Sequence, residues 1–502
     1  MDIPPEATAE VGPAPAETPT HFGRLGRDLF IYGSGRIAFQ FLIFLSIPIL
    51  TRILSKDDFG VIETMTSVTA ALAVIVLLGL DSASQRSYFD YGEDQPEERR
   101  RVLSTTFWTL LCWSTLLVGL LVLMSGPISR ALFGGETYRV VVAIAIAVVA
   151  AETMFLFIQE VLRVRHQPAR YAVLSIVWGL ATIGLMVALV GVFDKGLRGY
   201  YLGFFLGGLL AVAVGLLVIR DALRFTFDVR ELKVMLAYGL PLVPLAASTW
   251  IIQLVDRFFL LHYSSIAELG VYGLGVRLAN LLMLAVVTLG LAWAPFIFEL
   301  AQRAPEEERE LRGRSLTYTA ILLGFGALVI SIFAREAFLT VTDPKFEEAY
   351  KVVGLSAASV VFVGLNAVTV TGISLRRRTG YFARYAVYVA ALNIALNFLL
   401  IPPYGMVGAA LATAVTYAVL AALYYYRAQR VDPAPFQAGK VLAILAVTGV
   451  LIAIGTFVNL DPLWLSVVAK LPLVVAFPLA MLMIRALDPE AMELLRRVRS
   501  QG

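Results

Sequence analysis

The sequence predicts an all-α polytopic membrane protein of about fourteen transmembrane helices, built as two parallel six-helix lobes followed by a C-terminal helix pair. Of its 502 residues, 59% are hydrophobic and 16% are charged, whereas globular domains are about 25% charged. Apolar runs of about 20 residues, the length that crosses a membrane as a helix, recur from Leu29 almost to the C-terminus. In addition, the second half of the chain repeats motifs of the first.

The apolar runs divide the chain into helices and connecting segments. The first segment is rich in Pro, Ala and Glu and is expected to be a disordered tail. The predicted divisions are a cytoplasmic tail at 1–27, an N-lobe of helices 1–6 at 28–220, a cytoplasmic linker at 221–235, a C-lobe of helices 7–12 at 236–427, helices 13 and 14 at 428–486, and a cytoplasmic tail at 487–502.

Short motifs of the first half return in the same order in the second half. The matched segments are Tyr32-Gly33 with Tyr238-Gly239, and Ala169–Val173 with Ala383–Val387. The offsets, 206 and 214 residues, are nearly constant, as an internal repeat requires. Because a unit of six helices preserves orientation, the two lobes are expected to be related by an axis along the membrane normal. Such lobes suit a transporter that opens a central cleft alternately to each side.

The distribution of Lys and Arg predicts the orientation, since these residues favour cytoplasmic loops. Of the 41, 28 fall in one set of alternating segments and 9 in the other, and four lie within apolar helices. Both termini are therefore predicted to be cytoplasmic. Cys112 is the only cysteine, which rules out an intrachain disulfide, and neither a metal, a cofactor nor nucleic acid is expected to bind. No catalytic motif occurs, so the protein is not expected to be an enzyme.

Two arginines inside apolar helices are the candidate substrate-binding residues. Arg36 follows Gly33 and Gly35 in the first helix, and Arg277 follows Gly273 and Gly275 in the eighth. A charged side chain in this setting costs roughly 2.5–3.5 kcal/mol on insertion scales, so each arginine needs a partner or a function. Guanidinium groups that face a cleft would grip the oxygens of a pyrophosphate. The alternative is that each arginine is neutralised by an acid on a neighbouring helix.

Other charged residues in the helices receive separate interpretations. Glu152, near the middle of the fourth helix, is a candidate for proton coupling or for a fixed partner of Arg36. Asp256 and Arg257 are predicted to form a structural ion pair. Glu63, near a helix end, is expected to reach water, and Lys470 to extend to the headgroups.

Several motifs resemble one known superfamily. The stretch YGLPLVPLAASTWIIQLVDRFFLLHYSSIAELGVYGLGVRLANLL, together with TRILSKDDFGVIE, GLDSASQRSYFDYG and LRVRHQPARYAV, resembles the polysaccharide-transport branch of the multidrug/oligosaccharidyl-lipid/polysaccharide exporter superfamily. The similar segments span most of residues 28–427. By this resemblance, Arg36 and Arg277 correspond to arginines of a cationic central cavity, and helices 13 and 14 correspond to a groove for a lipid tail.

The resemblance implies a flippase of the bacterial inner membrane. Its substrate would be an undecaprenyl-pyrophosphate-linked oligosaccharide, and a polysaccharide polymerase and chain-length machinery would be partners. Two alternatives stay open. A cation-coupled drug exporter of the same superfamily typically has twelve helices and an acid in the first, where this chain has Arg36. A membrane assembly factor without transport would not need its intramembrane arginines.

The charge bias gives the first testable prediction. A reporter that is active only in the periplasm should be silent when fused after Gly502 and active when inserted near Lys345, because these sites fall on opposite sides of the predicted membrane. Reporter activity at the C-terminus would overturn the even number of helices.

Overall fold

The computed structural model of the chain describes residues 42–378 and 380–486, except for the side chain of residue 292. Within these ranges every regular element is helical. This follows from the length of the apolar segments, since a chain in lipid must satisfy its backbone hydrogen bonds within each helix. The predicted all-α membrane fold is thus confirmed.

The N-lobe contains eight α-helices within the described residues. They are α1 (Leu42–Ile53), α2 (Lys56–Leu77), α3 (Leu80–Asp90), α4 (Pro96–Leu123), α5 (Ser125–Phe133), α6 (Arg139–Val164), α7 (Pro168–Gly191) and α8 (Gly196–Ile219). The second membrane pass is broken between α2 and α3, where Leu78 and Gly79 have φ of 51° and 71°. Positive φ suits glycine and interrupts the helix there.

The C-lobe and the terminal pair contain eleven more α-helices. They are α9 (Val229–Gly239), α10 (Val243–Leu254), α11 (Asp256–Tyr263), α12 (Ile266–Ala279), α13 (Met283–Arg303), α14 (Pro305–Ile332), α15 (Ala334–Val341), α16 (Tyr350–Leu375), α17 (Gly380–Val431), α18 (Ala438–Phe457) and α19 (Leu463–Met483). Helix α9 begins at Val229, inside the segment expected to be a linker, because Asp228 caps it by accepting hydrogen bonds from the next backbone N–H groups.

Helix α17 is two membrane passes joined by a sharp bend. Its 52 residues contain Pro402 and Pro403, and Gly405 has a φ of 51° and a ψ of −132°. The two arms fold back on each other, since the Asn393 side-chain amide donates a 3.0 Å hydrogen bond to the Thr416 hydroxyl. Twelve described helices are long and apolar enough to cross a membrane. Counting α17 as two passes gives thirteen. Helix α1 is apolar but shorter than these helices, so the fourteenth pass remains a prediction.

We call the end of the bundle where α2 and α12 begin the outer end, and the opposite end the inner end. At the outer end these two helices approach so closely that a Cβ atom on Gly60 would lie 1.9 Å from the Ile266 carbonyl oxygen, and one on Gly270 would lie 2.2 Å from the Lys56 carbonyl oxygen. Only glycine allows this contact. The lobes also touch at the inner end, where the Tyr91 hydroxyl donates to Glu231 at 3.0 Å.

The terminal helix α19 is fastened to the C-lobe by a buried ion pair. Lys470 is 1% exposed and lies 2.5 Å from Glu336 on α15, which also accepts a 2.6 Å hydrogen bond from Ser466. The expectation that Lys470 reaches the headgroups was therefore wrong. A buried charge without a partner is strongly destabilising, and Glu336 supplies the opposite charge for Lys470.

Candidate functional site

The candidate site lies between the lobes in the outer half of the bundle. Glu63 on α2 comes seven residues after Lys56, a distance of about 10 Å along the helix. Arg277 lies on α12, and helical side chains lean towards the N-terminus of their helix. The two side chains therefore meet across the lobe boundary although 214 residues separate them in sequence.

Glu63 and Arg277 form an ion pair between the lobes. The Arg277 Nε and Nη2 atoms both donate to Glu63 Oε1, at 3.0 and 2.7 Å. The Glu63 side chain is 5% exposed and that of Arg277 is 23% exposed, so the arginine keeps some access to the space beside it. Gly273 makes the contact sterically possible, because a Cβ atom there would lie 2.3 Å from the Glu63 carboxyl carbon.

The ion pair continues into a buried cluster on the C-lobe. The Arg257 guanidinium lies 3.7 Å from Glu63 and 2.8 Å from Asp256, and the Tyr272 hydroxyl donates to the second oxygen of Asp256. We call Glu63, Asp256, Arg257 and Arg277 the outer ion cluster. It contains two acids and two arginines, so its formal charge is zero.

The predicted Asp256–Arg257 contact is present, but it is not isolated. Both residues are buried, at 1% and 5% exposure, and Arg257 also approaches Glu63. The expectation that Glu63 reaches water was wrong. Its carboxylate is covered by α12 because the glycines of that helix allow close approach. The sequence signal that could have found this contact is the pair Gly270 and Gly273, which lie on one face of α12.

An apolar closure lies beside the outer ion cluster at the outer end. The rings of Phe59 on α2 and Phe346 pack edge to face at a centroid distance of 5.1 Å, and neither ring is exposed. A backbone N–H at Asp343 donates to the Thr51 hydroxyl at 3.4 Å. The lobes are thus held together at the outer end by the ion cluster and by direct packing.

Glu152 lies on α6 and is half-buried. It makes no hydrogen bond or ion pair with the residues that the structure describes. Tyr201 on α8 is also buried, and its hydroxyl has no hydrogen-bond partner among the described residues.

Arg36 lies outside the described residues, so its predicted substrate contact and its alternative pairing with Glu152 both stay predictions. Among the residues described, no group of three His, Cys, Asp or Glu side chains is arranged to hold a metal ion. The chemistry that this site can perform is exchange of ionic partners. A guanidinium that faces a neighbouring space can release a carboxylate and bind another oxyanion with two parallel hydrogen bonds.

Two lobes of membrane helices with buried charges between them are typical of membrane transporters. Among solved structures, lipid II flippase MurJ in an inward closed conformation matches with a TM-score of 0.71, covering 91% of this chain and 99% of that one at 14% identity. At this identity the likeness establishes the fold alone.

Sequence comparison identifies the family. The model of the polysaccharide biosynthesis protein family matches residues 25–301, more than half of the chain. The chain belongs to this family, and its resemblance to the polysaccharide-transport branch of the exporter superfamily is confirmed. It is similar to the probable low-salt glycan biosynthesis flippase Agl15 of Haloferax volcanii, with 23% identity over 86% of this chain and 89% of that protein.

A second similar protein is the succinoglycan biosynthesis transport protein ExoT of Rhizobium meliloti. It is 22% identical over 63% of this chain and 62% of its own length. Together with the twelve apolar helices, the family assignment identifies a multi-pass membrane protein of polysaccharide transport.

The outer ion cluster gives the second testable prediction. Replacing Glu63 by Gln leaves Arg277 without its carboxylate, and breaking a buried pair costs roughly 3–5 kcal/mol, so the outer end should open more often. The reporter is the alkylation rate of a cysteine at Ile47, which is 6% exposed, in a Cys112→Ser background. We expect this rate to rise by about tenfold or more.

Glu136→Gln is the matched control. Glu136 also lies at the outer end of the N-lobe, where it forms an exposed ion pair with Arg130 at 2.6 Å. This pair does not join the two lobes. In the Glu136→Gln variant, the alkylation rate of the cysteine that replaces Ile47 should stay within about twofold of the parent rate, as expected for the loss of a surface pair. Equal rates in the two variants would mean that Glu63 does not hold the lobes together.

Proposed function

We propose that the protein flips undecaprenyl-pyrophosphate-linked oligosaccharide repeat units from the cytoplasmic to the periplasmic leaflet of the bacterial inner membrane, by alternating access. The product would serve O-antigen, capsule or exopolysaccharide synthesis, with a polysaccharide polymerase and chain-length machinery as partners. The family assignment and the similarity to proteins named as glycan transporters support this substrate class. The protein acts in this proposal as a carrier, without covalent chemistry.

The observation that carries the proposal is the partly exposed Arg277 paired with Glu63 across the lobe boundary. A pyrophosphate is a stronger partner than one carboxylate, since it offers more oxygens and more charge to a planar guanidinium. When the headgroup takes Arg277, Glu63 retains only Arg257, 3.7 Å away. The bond between the lobes is then weakened, and the outer end opens only when substrate is present.

Because the substrate replaces Glu63 as the partner of Arg277, it binds the closed and open states with different affinities. A ligand shifts an equilibrium only by its difference in affinity for the two states. In the state with a closed outer end, pyrophosphate must compete with Glu63 for Arg277. In the open state that competition is absent, so the substrate favours opening. Arg36 is proposed as the second cation of the same pyrophosphate site, from the first helix.

A cation-coupled drug exporter is the second candidate function. It is favoured only by the acid at Glu152, which has no ionic partner among the described residues, whereas the charges at Arg277 and Arg36 suit an anion. A membrane assembly factor without transport would use the outer ion cluster purely as a structural contact. The experiments on Arg277 and Glu152 separate these functions.

The third testable prediction concerns Arg277. In vesicles containing the purified protein, we measure translocation of a fluorescent short-chain polyprenyl-diphosphate disaccharide. Arg277→Ala and Arg36→Ala should abolish translocation, and lysine at either site should restore only part of it, because an ammonium cannot form the two-pronged contact. Arg303→Ala, which removes a 71% exposed inner-end arginine, should transport normally.

A second variant guards against misfolding. Arg277→Ala leaves Glu63 short of a partner, whereas the double variant Glu63→Gln with Arg277→Ala keeps the cluster neutral. The double variant should melt near the parent temperature and still fail to transport. Normal transport by both single alanine variants would leave the Glu63–Arg277 pair with a structural role only and would contradict the pyrophosphate site.

The fourth testable prediction concerns Glu152 and energy coupling. After release, the carrier must return to the cytoplasmic side, and protonation of a half-buried carboxyl with no ionic partner among the described residues is one way to favour that return. Glu152→Gln fixes the neutral form at nearly constant shape. It should slow translocation and remove the acceleration by an imposed proton gradient. An undiminished response to the gradient would assign the coupling to another group.

A further inference from the structure

A cavity of about 610 Å³ lies at the inner end of the C-lobe, far from the outer ion cluster. Gln302 lines this cavity. It comes 25 residues after Arg277 in the stretch from α12 to α13, which is a distance of roughly 37 Å along a helix. The cavity is formed where α13 ends, α14 begins and α16 ends. We call it the arginine pocket. Its lining includes Glu308, Arg309, Arg376, Arg377 and Asp432.

The arginine pocket contains more arginines than acids. Asp432 interacts with three guanidinium groups: that of Arg376 at 2.8 Å, that of Arg312 at 2.7 Å and that of Arg309 at 3.6 Å. Arg312 lies behind the lining and also pairs with Glu308 at 3.0 Å. Arg309 also pairs with Glu306 at 2.9 Å. Counting these six residues and Arg377 gives four positive and three negative charges, a formal charge of +1.

Some of the guanidinium donors have no acceptor in the described part of the chain. Arg312 is completely buried, and its Nη1 atom makes no hydrogen bond there. Arg376 is 52% exposed on its side chain despite its contact with Asp432. Burial alone would raise the pKa of the Asp432 carboxyl. Its contacts with Arg376 and Arg312 lower the pKa by more than burial raises it, so the pKa of this carboxyl lies below its ordinary value. The carboxylate therefore stays ionised, and the excess positive charge persists at neutral pH.

The position and the walls of the pocket favour a lipid. Apolar side chains from Phe298, Ala301 and Leu375 share the lining with the charged groups, and Phe298 is 39% exposed. Helices α13 and α16 end and α14 begins at this level, and the ends of membrane-crossing helices lie near the headgroup region of a bilayer. Basic pockets between membrane helices on the cytoplasmic side bind anionic headgroups, and arginine pairs with phosphate oxygens in two-pronged geometry.

We propose that the arginine pocket binds the phosphate-bearing headgroup of a lipid in the inner leaflet, with Arg376 and Arg377 as direct ligands. Arg309 and Arg312 raise the local potential, and the apolar wall contacts the first part of the tail. The phosphate belongs to one of two sources, an anionic phospholipid or the diphosphate of a polyprenyl carrier lipid. The second source rests on the proposed flippase function, whereas the first is independent of it.

The test measures lipid binding to the purified full-length protein in neutral detergent, with Arg277→Ala in every protein compared so that the proposed pyrophosphate site does not bind the diphosphate probe. The two probes are cardiolipin, as the anionic phospholipid, and farnesyl diphosphate, as the polyprenyl diphosphate. The double variant Arg376→Gln with Arg377→Gln should weaken the Kd of one probe by about tenfold or more. Asp432 keeps Arg312 and Arg309 in this variant, so the melting temperature without lipid should be unchanged.

The matched control is the double variant Arg100→Gln with Arg101→Gln. These arginines also lie at the inner end, but on the N-lobe, where they pair with Glu97 and Glu98 on the surface. The control should change either Kd by less than about twofold. A loss confined to cardiolipin identifies a phospholipid site, and a loss confined to farnesyl diphosphate identifies a docking site for the carrier lipid.

Two results would overturn the proposal. In the first, the pocket variant and the control weaken both probes equally, which reduces the pocket to general surface charge. In the second, inorganic pyrophosphate binds as tightly as the lipids and loses the same affinity in the variant, which removes the need for a lipid. Because the Arg277 variants are read out by translocation, failure of the flippase function is distinguishable from failure of this site.

Discussion

The ion pair between Glu63 and Arg277 is the interaction on which the arrangement of the lobes depends. The Glu63 side chain is only 5% exposed, so its charge needs an opposite charge within the protein, and Arg277 supplies it. Because the two residues belong to different lobes, satisfying their charges fixes how the lobes meet. The glycines of α2 and α12 serve this contact, since any side chain at Gly273 would displace the Glu63 carboxylate. The same requirement makes the contact sensitive to any anion that enters the site.

The outer ion cluster has no net charge when no substrate is bound, and the proposed transport depends on this property. The charges of the two acids and two arginines sum to zero. Arg257 contacts both acids, so Glu63 keeps one cationic partner when Arg277 binds another anion. At the inner end of the C-lobe, the arginine pocket contains more guanidinium groups than carboxylates, which is the basis of the proposed lipid site.

Much of the fold could be predicted because it follows from local properties of the chain. Apolar length gives the membrane passes, and matched motifs such as Ala169–Val173 and Ala383–Val387 give the two lobes. The partners of buried charges could not be predicted in this way. Glu63 and Arg277 are 214 residues apart, and Lys470 and Glu336 are 134 apart. Which charges meet depends on how helices rotate and approach, and a single sequence does not record that geometry.

The most direct measurement is the distance between the lobes at the outer end, by electron spin resonance. Spin labels are attached to cysteines at Arg130 and Glu348, both exposed, in a Cys112→Ser background. We expect farnesyl diphosphate to add a population of longer distances in the parent protein and to have no effect when Arg277 is replaced by alanine. A single unchanged distance with and without the diphosphate, or an equal change in both proteins, would contradict the claim that pyrophosphate opens the outer end by displacing Glu63 from Arg277.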